Sequence, residues 1–151
     1  MARDLKFLAD DMRRNATEVD KLMRDAPRII AGAAVKMKDA NFSAQGFIEN
    51  GKVVSKWPAR KKETTRTEGK RILHGIGTMQ DSVKSRIAGK RISLGVDLAK
   101  VPYAQIHNKG GKAGRGLKTE IPERKYLGYT IDIEKITERE LAYRLNKIFN
   151  S

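Results

Sequence analysis

Apolar side chains recur at Leu5, Leu8, Met12, Ala16, Val19, Leu22, Met23, Ala26, Ile29, Ile30, Ala33 and Met37, the i, i+3/i+4, i+7 spacing of one face of a helix. A stretch this long must lie against something along much of its length, so it constrains the fold more than any other feature. Arg13, Arg14, Glu18, Lys21 and Arg24 occupy the opposite side. Pro27 lacks the N–H that a helical ladder needs, and Asp25 just before it suits an N-cap. The sequence therefore predicts a break or kink near 25–27 and a second helix reaching about Phe42.

The second constraint is a hairpin. Val83–Ala88 and Arg91–Val96 flank Gly89-Lys90, a Gly-X pair suited to a two-residue type II′ turn. With that turn, Ala88 faces Arg91, Ile87 faces Ile92, Ser85 faces Leu94 and Val83 faces Val96, which gathers the apolar residues on one face. Slipping the register by one residue breaks each of these pairings. Lys84, Arg86, Arg91 and Ser93 are left for the solvent side.

Elsewhere the pattern is shorter. Residues 43–71 show no sustained period and read as a long basic loop, with Trp57, the only tryptophan, in its middle. That ring either anchors the loop onto the core or reaches a neighbouring subunit. Tyr103, Ile106, His107 and Gly110 share one face of a short helix that Pro102 can begin and Gly110-Gly111 can end. Residues 108–120 form a Gly-rich basic loop, and Leu117, Thr119 and Ile121 alternate as a brief strand closed by Pro122. Apolar residues from Ile131 or Ile133 to Phe149 are again helical in spacing. Thr137 followed by Glu140 is a capping-box pattern, which places the start of this helix near 137. The expected fold is a single α+β domain, residues 1–151, with N-terminal helices and a C-terminal helix packed on a small antiparallel sheet.

Composition narrows the chemistry. The chain has 151 residues, a formal charge of +14 and no cysteine. Disulfides, thiol nucleophiles and zinc–thiolate sites are thereby excluded, in keeping with synthesis in a reducing cytoplasm. The charged N-terminus reads as no signal peptide, and no run approaches the roughly 20 apolar residues of a membrane span. Most of the positive charge is local: residues 50–71 hold eight Lys/Arg against Glu63 and Glu68, and residues 108–125 hold six against Glu120 and Glu123. The excess thus falls on loops and not on one helix.

No reactive constellation accompanies it. Gly111 to Thr119 imitates a phosphate loop, but Leu117 interrupts the Gly-Lys-Ser/Thr step that brings lysine and hydroxyl to the phosphates. His74 and His107 are the only histidines, and neither has a second histidine or a carboxylate three or four residues away. Ser82 has no neighbour that would activate it. Nothing calls for a metal or a cofactor.

Five pieces in order carry a family resemblance: Trp57 in an early loop; Leu73 before a run holding Gly77, Met79 and Ser82; Gly95 in the hairpin; Tyr103, Ala104, His107, Gly110 and Gly111; and Ile121, Pro122, Arg124, Leu127 and Gly128. Over residues 57–128 the chain resembles the virion morphogenesis, or tail completion, proteins of tailed bacteriophages. It departs at Ile76 (usually Thr), Met79 (Leu), Lys125 (often Pro) and Tyr126 (Phe). The resemblance implies a non-enzymatic structural subunit acting late in tail completion or head–tail joining, as a homo-oligomeric ring at the neck or tail end. Its implied partners are other tail, neck and connector proteins, and its implied place is the virion, after assembly in the host cytoplasm. Under that reading Trp57, Arg60, Tyr103 and His107 are candidate contact residues, while Arg115, Lys118 and Arg124 would face acidic partners or a lumen that DNA traverses. Non-specific DNA contact stays open. The rivals are a basic nucleic-acid-binding protein, which lacks a recognition helix or stacking aromatic pair, and a small phage-borne nuclease or muramidase, which lacks a matched acid–base pair.

Overall fold

A computed structural model describes residues 2–74 and 78–150, with side chains from Leu5 onward. Gly75, Ile76 and Gly77 of the family-like run lie outside the described residues. The protein is α+β. Helix α1 (Ala2–Ala44) is followed by strands β1 (Gly46–Glu49) and β2 (Lys52–Lys56), helix α2 (Thr78–Ser82) and strands β3 (Val83–Ala88) and β4 (Arg91–Val96). Helix α3 (Ala104–Lys109), strands β5 (Gly111–Ala113) and β6 (Thr119–Ile121), and helix α4 (Ile131–Phe149) complete it.

The expected break at 25–27 is absent: α1 is one helix of 43 residues that runs through Pro27. Asp25 does not cap a second helix, but instead accepts from Arg28 Nη1 at 3.3 Å within the helix. An interior proline costs about 3 kcal/mol. Burial of Leu22 and Ile29 on either side of it, with Ala33 and Met37 beyond, offsets that at roughly 1.5–3 kcal/mol for each large side chain. The neighbours that cover this face are α4, β1, β3 and β4.

Helix α4 starts six residues before the expected capping box. Thr130, fully buried and extended at φ −147°, caps it by accepting from the Asp132 backbone N–H at 3.3 Å. Thr137 lies inside the helix, where its hydroxyl donates to the Ile133 carbonyl at 2.7 Å. A threonine cap seven residues earlier, next to the first apolar residue of the stripe, wins over the later pattern.

The 83–96 hairpin has the expected register, from Val83↔Val96 through Ser85↔Leu94 and Ile87↔Ile92 to Ala88↔Arg91. Gly89 takes φ +59° at the turn. Residues 43–71, in contrast, are not one loop, because β1 and β2 form a second hairpin there, with Val54 bulged between Phe47↔Ser55 and Ile48↔Val53. Asn50 and Gly51 make its turn at φ +52° and +70°, the left-handed pair that a type I′ turn requires. Likewise the Gly-rich segment is paired at its two ends, with Gly111↔Ile121 and Ala113↔Thr119 enclosing a short 3-10 turn at Arg115–Leu117, so Leu117 lies in the turn and not in the expected strand. Among the described residues the strands make three separate two-stranded ribbons and no wider sheet.

The core gathers Phe42, Trp57, Met79, Val83, Val101, Ala104 and Tyr126. Phe42 meets the Trp57 ring edge-on at 5.3 Å and the Tyr126 ring at 5.4 Å.

Candidate assembly site

The two family-like stretches, 103–111 and 121–128, fold into one unit. Asn108 Oδ1 accepts from the backbone N–H groups of both Tyr126 and Leu127 at 2.9 Å, and its Nδ2 donates to the Leu127 carbonyl at 3.2 Å. The Arg124 backbone N–H donates to the His107 carbonyl at 2.8 Å, and the Tyr126 hydroxyl donates to the Ala104 carbonyl at 2.9 Å. Burial pushes that phenol up to about 12. Gly110 ends α3 at φ +70°, where a Cβ would lie 2.9 Å from the Glu123 backbone nitrogen. Close approach and left-handed backbone together require glycine there. On the far side, Asn41 donates to the Tyr126 carbonyl at 3.2 Å and accepts from the Ile48 N–H at 2.9 Å.

The structure divides the candidate contact residues into three groups. Trp57 is 3% exposed and its Nε1 donates to the Lys125 carbonyl at 2.9 Å, so it is the core anchor and offers no surface to a neighbour. Arg124, expected to be a surface cation, is 6% exposed: Nε donates to the Pro58 carbonyl at 3.0 Å and Nη2 to the Ala59 carbonyl at 3.3 Å. Its planar donor fork ties the segment after Trp57 to the family-like unit. Burial, and then the nearby Arg60 charge, lower its pKa from the ordinary value. Arg60 holds the rest of the loop. Its Nη1 donates to the Lys70 carbonyl at 2.7 Å and the Thr67 carbonyl at 3.3 Å, and its Nη2 to the Arg71 carbonyl at 2.6 Å.

Arg60, Tyr103, His107 and Arg124 meet in one cleft of about 800 Å³, joined by Arg66 and Lys70. Tyr103 is exposed and stands edge-on to the His107 ring at 5.9 Å. His107 Nδ1 is buried and has no hydrogen-bond partner among the described residues, and burial followed by the Arg124 charge lowers its pKa. The cleft therefore sets the guanidinium groups of Arg60 and Arg124 and the exposed cations Arg66 and Lys70 beside His74 and His107, an arrangement complementary to anions. Arg115 and Lys118 are exposed around the 3-10 turn and do not line it.

Sequence reasoning passed over two surfaces. Arg66 and Lys70 were hidden in what read as uniform loop charge. A groove of about 600 Å³ between α1, β4, the 126–129 segment and α4 is lined mainly by apolar side chains, Ile30, Met37, Leu94 and Ile133 among them. Its signal was the width of the α1 stripe, broader than one packed neighbour can cover.

Comparison with known proteins accords with this frame. The model of the phage virion morphogenesis family matches residues 4–146. Mu-like prophage FluMu G protein 2 of Haemophilus influenzae is 30% identical over 113 residues, covering 75% of this chain and 78% of that protein. No solved structure matches. With nearly its whole length matched, including both interlocked stretches, the chain belongs to the phage virion morphogenesis family.

Proposed function

We propose that the protein is a non-catalytic structural subunit that completes the tail or joins head to tail, working as a homo-oligomeric ring at the neck or tail end of the particle. One observation carries this reading: polar side chains of the two family-like stretches and of the 57–60 segment are spent on backbone groups of the chain itself. Arg60, Arg124, Asn108 and Trp57 all hydrogen-bond to main-chain atoms, so they build a frame whose uncovered surfaces are left to meet other virion proteins. Among the described residues no helix is long and apolar enough to cross a membrane.

The test is genetic. In a phage or inducible prophage lacking this gene, electron microscopy should find heads and tails that fail to yield infectious particles, restored by the gene in trans. Complete, infectious particles from the deletion would refute the proposal.

A second reading, non-specific DNA contact in the assembled particle, is favoured by Arg66 and Lys70 at the mouth of the cationic cleft. Each phosphate neutralised steepens the dependence of log K on log salt by about 0.9. Replacing both residues by Ala should flatten the slope by nearly two such steps, and an unchanged slope would remove the cleft from DNA binding.

A further inference from the structure

Helix α4 accompanies α1 only part of the way. Its last turns, at Arg144, Lys147 and Ile148, lie beside Glu18, Leu22 and Asp25. The earlier turns of α1 project beyond it as an arm, and they carry Leu5, Leu8 and Met12 at 68%, 56% and 65% exposure. These three share a face through the i, i+3, i+7 spacing, in line with Val19 and the buried Leu22 and Ile29. An apolar stripe that is covered in the body of the molecule thus continues, uncovered, along the arm.

The same chain carries an uncovered apolar groove, lined by Ile30, Ala34, Met37, Ile92, Leu94 and Ile133. Arm and groove cannot meet within one molecule. Both belong to a single continuous helix, and at 1.5 Å per residue Met12 is held roughly 27 Å from Ile30 along its axis. Whatever covers the groove comes from elsewhere.

Charge permits a second copy as the occupant. Of the +14 carried by the protein, most sits in residues 50–71 and 108–125, so a second copy is repelled chiefly at those loops. The arm lies outside those loops and is balanced: residues 5–21 hold four Lys/Arg (Lys6, Arg13, Arg14, Lys21) against four Asp/Glu (Asp10, Asp11, Glu18, Asp20), and α4 beside the groove is balanced likewise. The ionisable side chains of the groove are already engaged, Lys38 with Asp39 at 2.6 Å and Glu134 with the Tyr129 hydroxyl. A neutral apolar arm and an internally compensated apolar groove match, and neither meets the repulsion that the basic loops would impose.

We propose that the α1 arm of each subunit seats in the groove of the next copy. The contact is heterologous, since two different patches meet, and repeated around a closing rotation it generates a ring. The proposal rests on the ring reading above and names the surfaces that build the ring.

The chain has no cysteine, so paired cysteines report the contact without background. The double variant Met12→Cys/Ile92→Cys, oxidised at concentrations where the full-length protein self-associates in sedimentation, should give a ladder of disulfide-linked species ending at the ring size. Met12→Cys alone should give none. Leu8→Asp/Met12→Asp alters only exposed side chains, so it should keep the monomer fold, checked by circular dichroism, while abolishing association. A ring with no ladder overturns the arm-and-groove contact and leaves the ring reading standing. Cross-linking of Met12→Cys alone overturns it in favour of arm-to-arm pairing. A protein monomeric at every concentration overturns both.

Discussion

Replacing Tyr126 by Phe removes one oxygen from a ring that is only 1% exposed, and the loss should invert in sign with pH. At neutral pH the variant loses the bond from the hydroxyl to the Ala104 carbonyl, a net contribution of about 1 kcal/mol. The alkaline side follows from linkage. The phenol is pushed up to about 12 when folded, against 10.0 in its ordinary state. Between these values the unfolded chain ionises first and binds fewer protons, so wild-type stability falls as pH rises. Each unit of pKa difference is worth about 1.4 kcal/mol, so about 1.4 kcal/mol is gone by about pH 11 and about 2.7 kcal/mol once the folded phenol also ionises. Tyr126→Phe has no such loss. It should be less stable than wild type at neutral pH, equal it between about pH 10.5 and 11, and exceed it above. Urea unfolding followed by the fluorescence of Trp57, the sole tryptophan, measures both proteins at each pH. The other three tyrosines are common to both and cancel in the difference. A gap that stays constant from neutral pH to above 11 would refute the reasoning, because the phenol would then ionise in the folded protein as it does in water.

Pro27→Ala should stabilise the protein by up to about 3 kcal/mol, since α1 already runs unbroken through this position; an unchanged or lowered urea midpoint would contradict that. Asn108→Ala should lower stability by about 1–3 kcal/mol for each of the two backbone donors it orphans, whereas Asn108→Asp, which keeps the acceptor, should recover most of the loss in the same assay. His107 has a folded pKa held below its ordinary 6.5, so the unfolded state takes up protons first and stability present above that value drains away as pH falls through it. His107→Gln should show a shallower acid-side slope of unfolding midpoint against pH, and an identical slope would rule the histidine out as its source.

Local patterns were legible where neighbours in sequence are also neighbours in space. The 83–96 hairpin and its register follow from one Gly-X turn and alternating apolar residues, and α3 follows from the shared face of Tyr103, Ile106 and His107 closed by Gly110. The β1–β2 hairpin was equally local, for Asn50-Gly51 is a strong turn signal. It was obscured because only two or three residues on each side are apolar and a bulge at Val54 breaks their alternation. Pro27 misled in the other direction: propensity speaks for a break, but burial along both halves of α1 outweighs it. Trp57 could be read two ways because its choice depends on Phe42 and on the Lys125 carbonyl, 68 residues further on. Arg124 looked like a surface charge for the same reason, since its carbonyl partners stand at positions 58 and 59. Of the contact surfaces, the sequence revealed their charge and not their shape, because the cleft and the groove are each assembled from four separated segments or more.

The three ribbons share no ladder with one another, so each is free to open alone. Two of them lean on α1 and the third on α3. Amide hydrogens in any one ribbon should therefore exchange with solvent through a local event that leaves the other two protected, while those of α1 from Leu22 to Phe42 are released only by global unfolding. A subunit organised this way can remould one flap against a neighbour while its central rod stays intact.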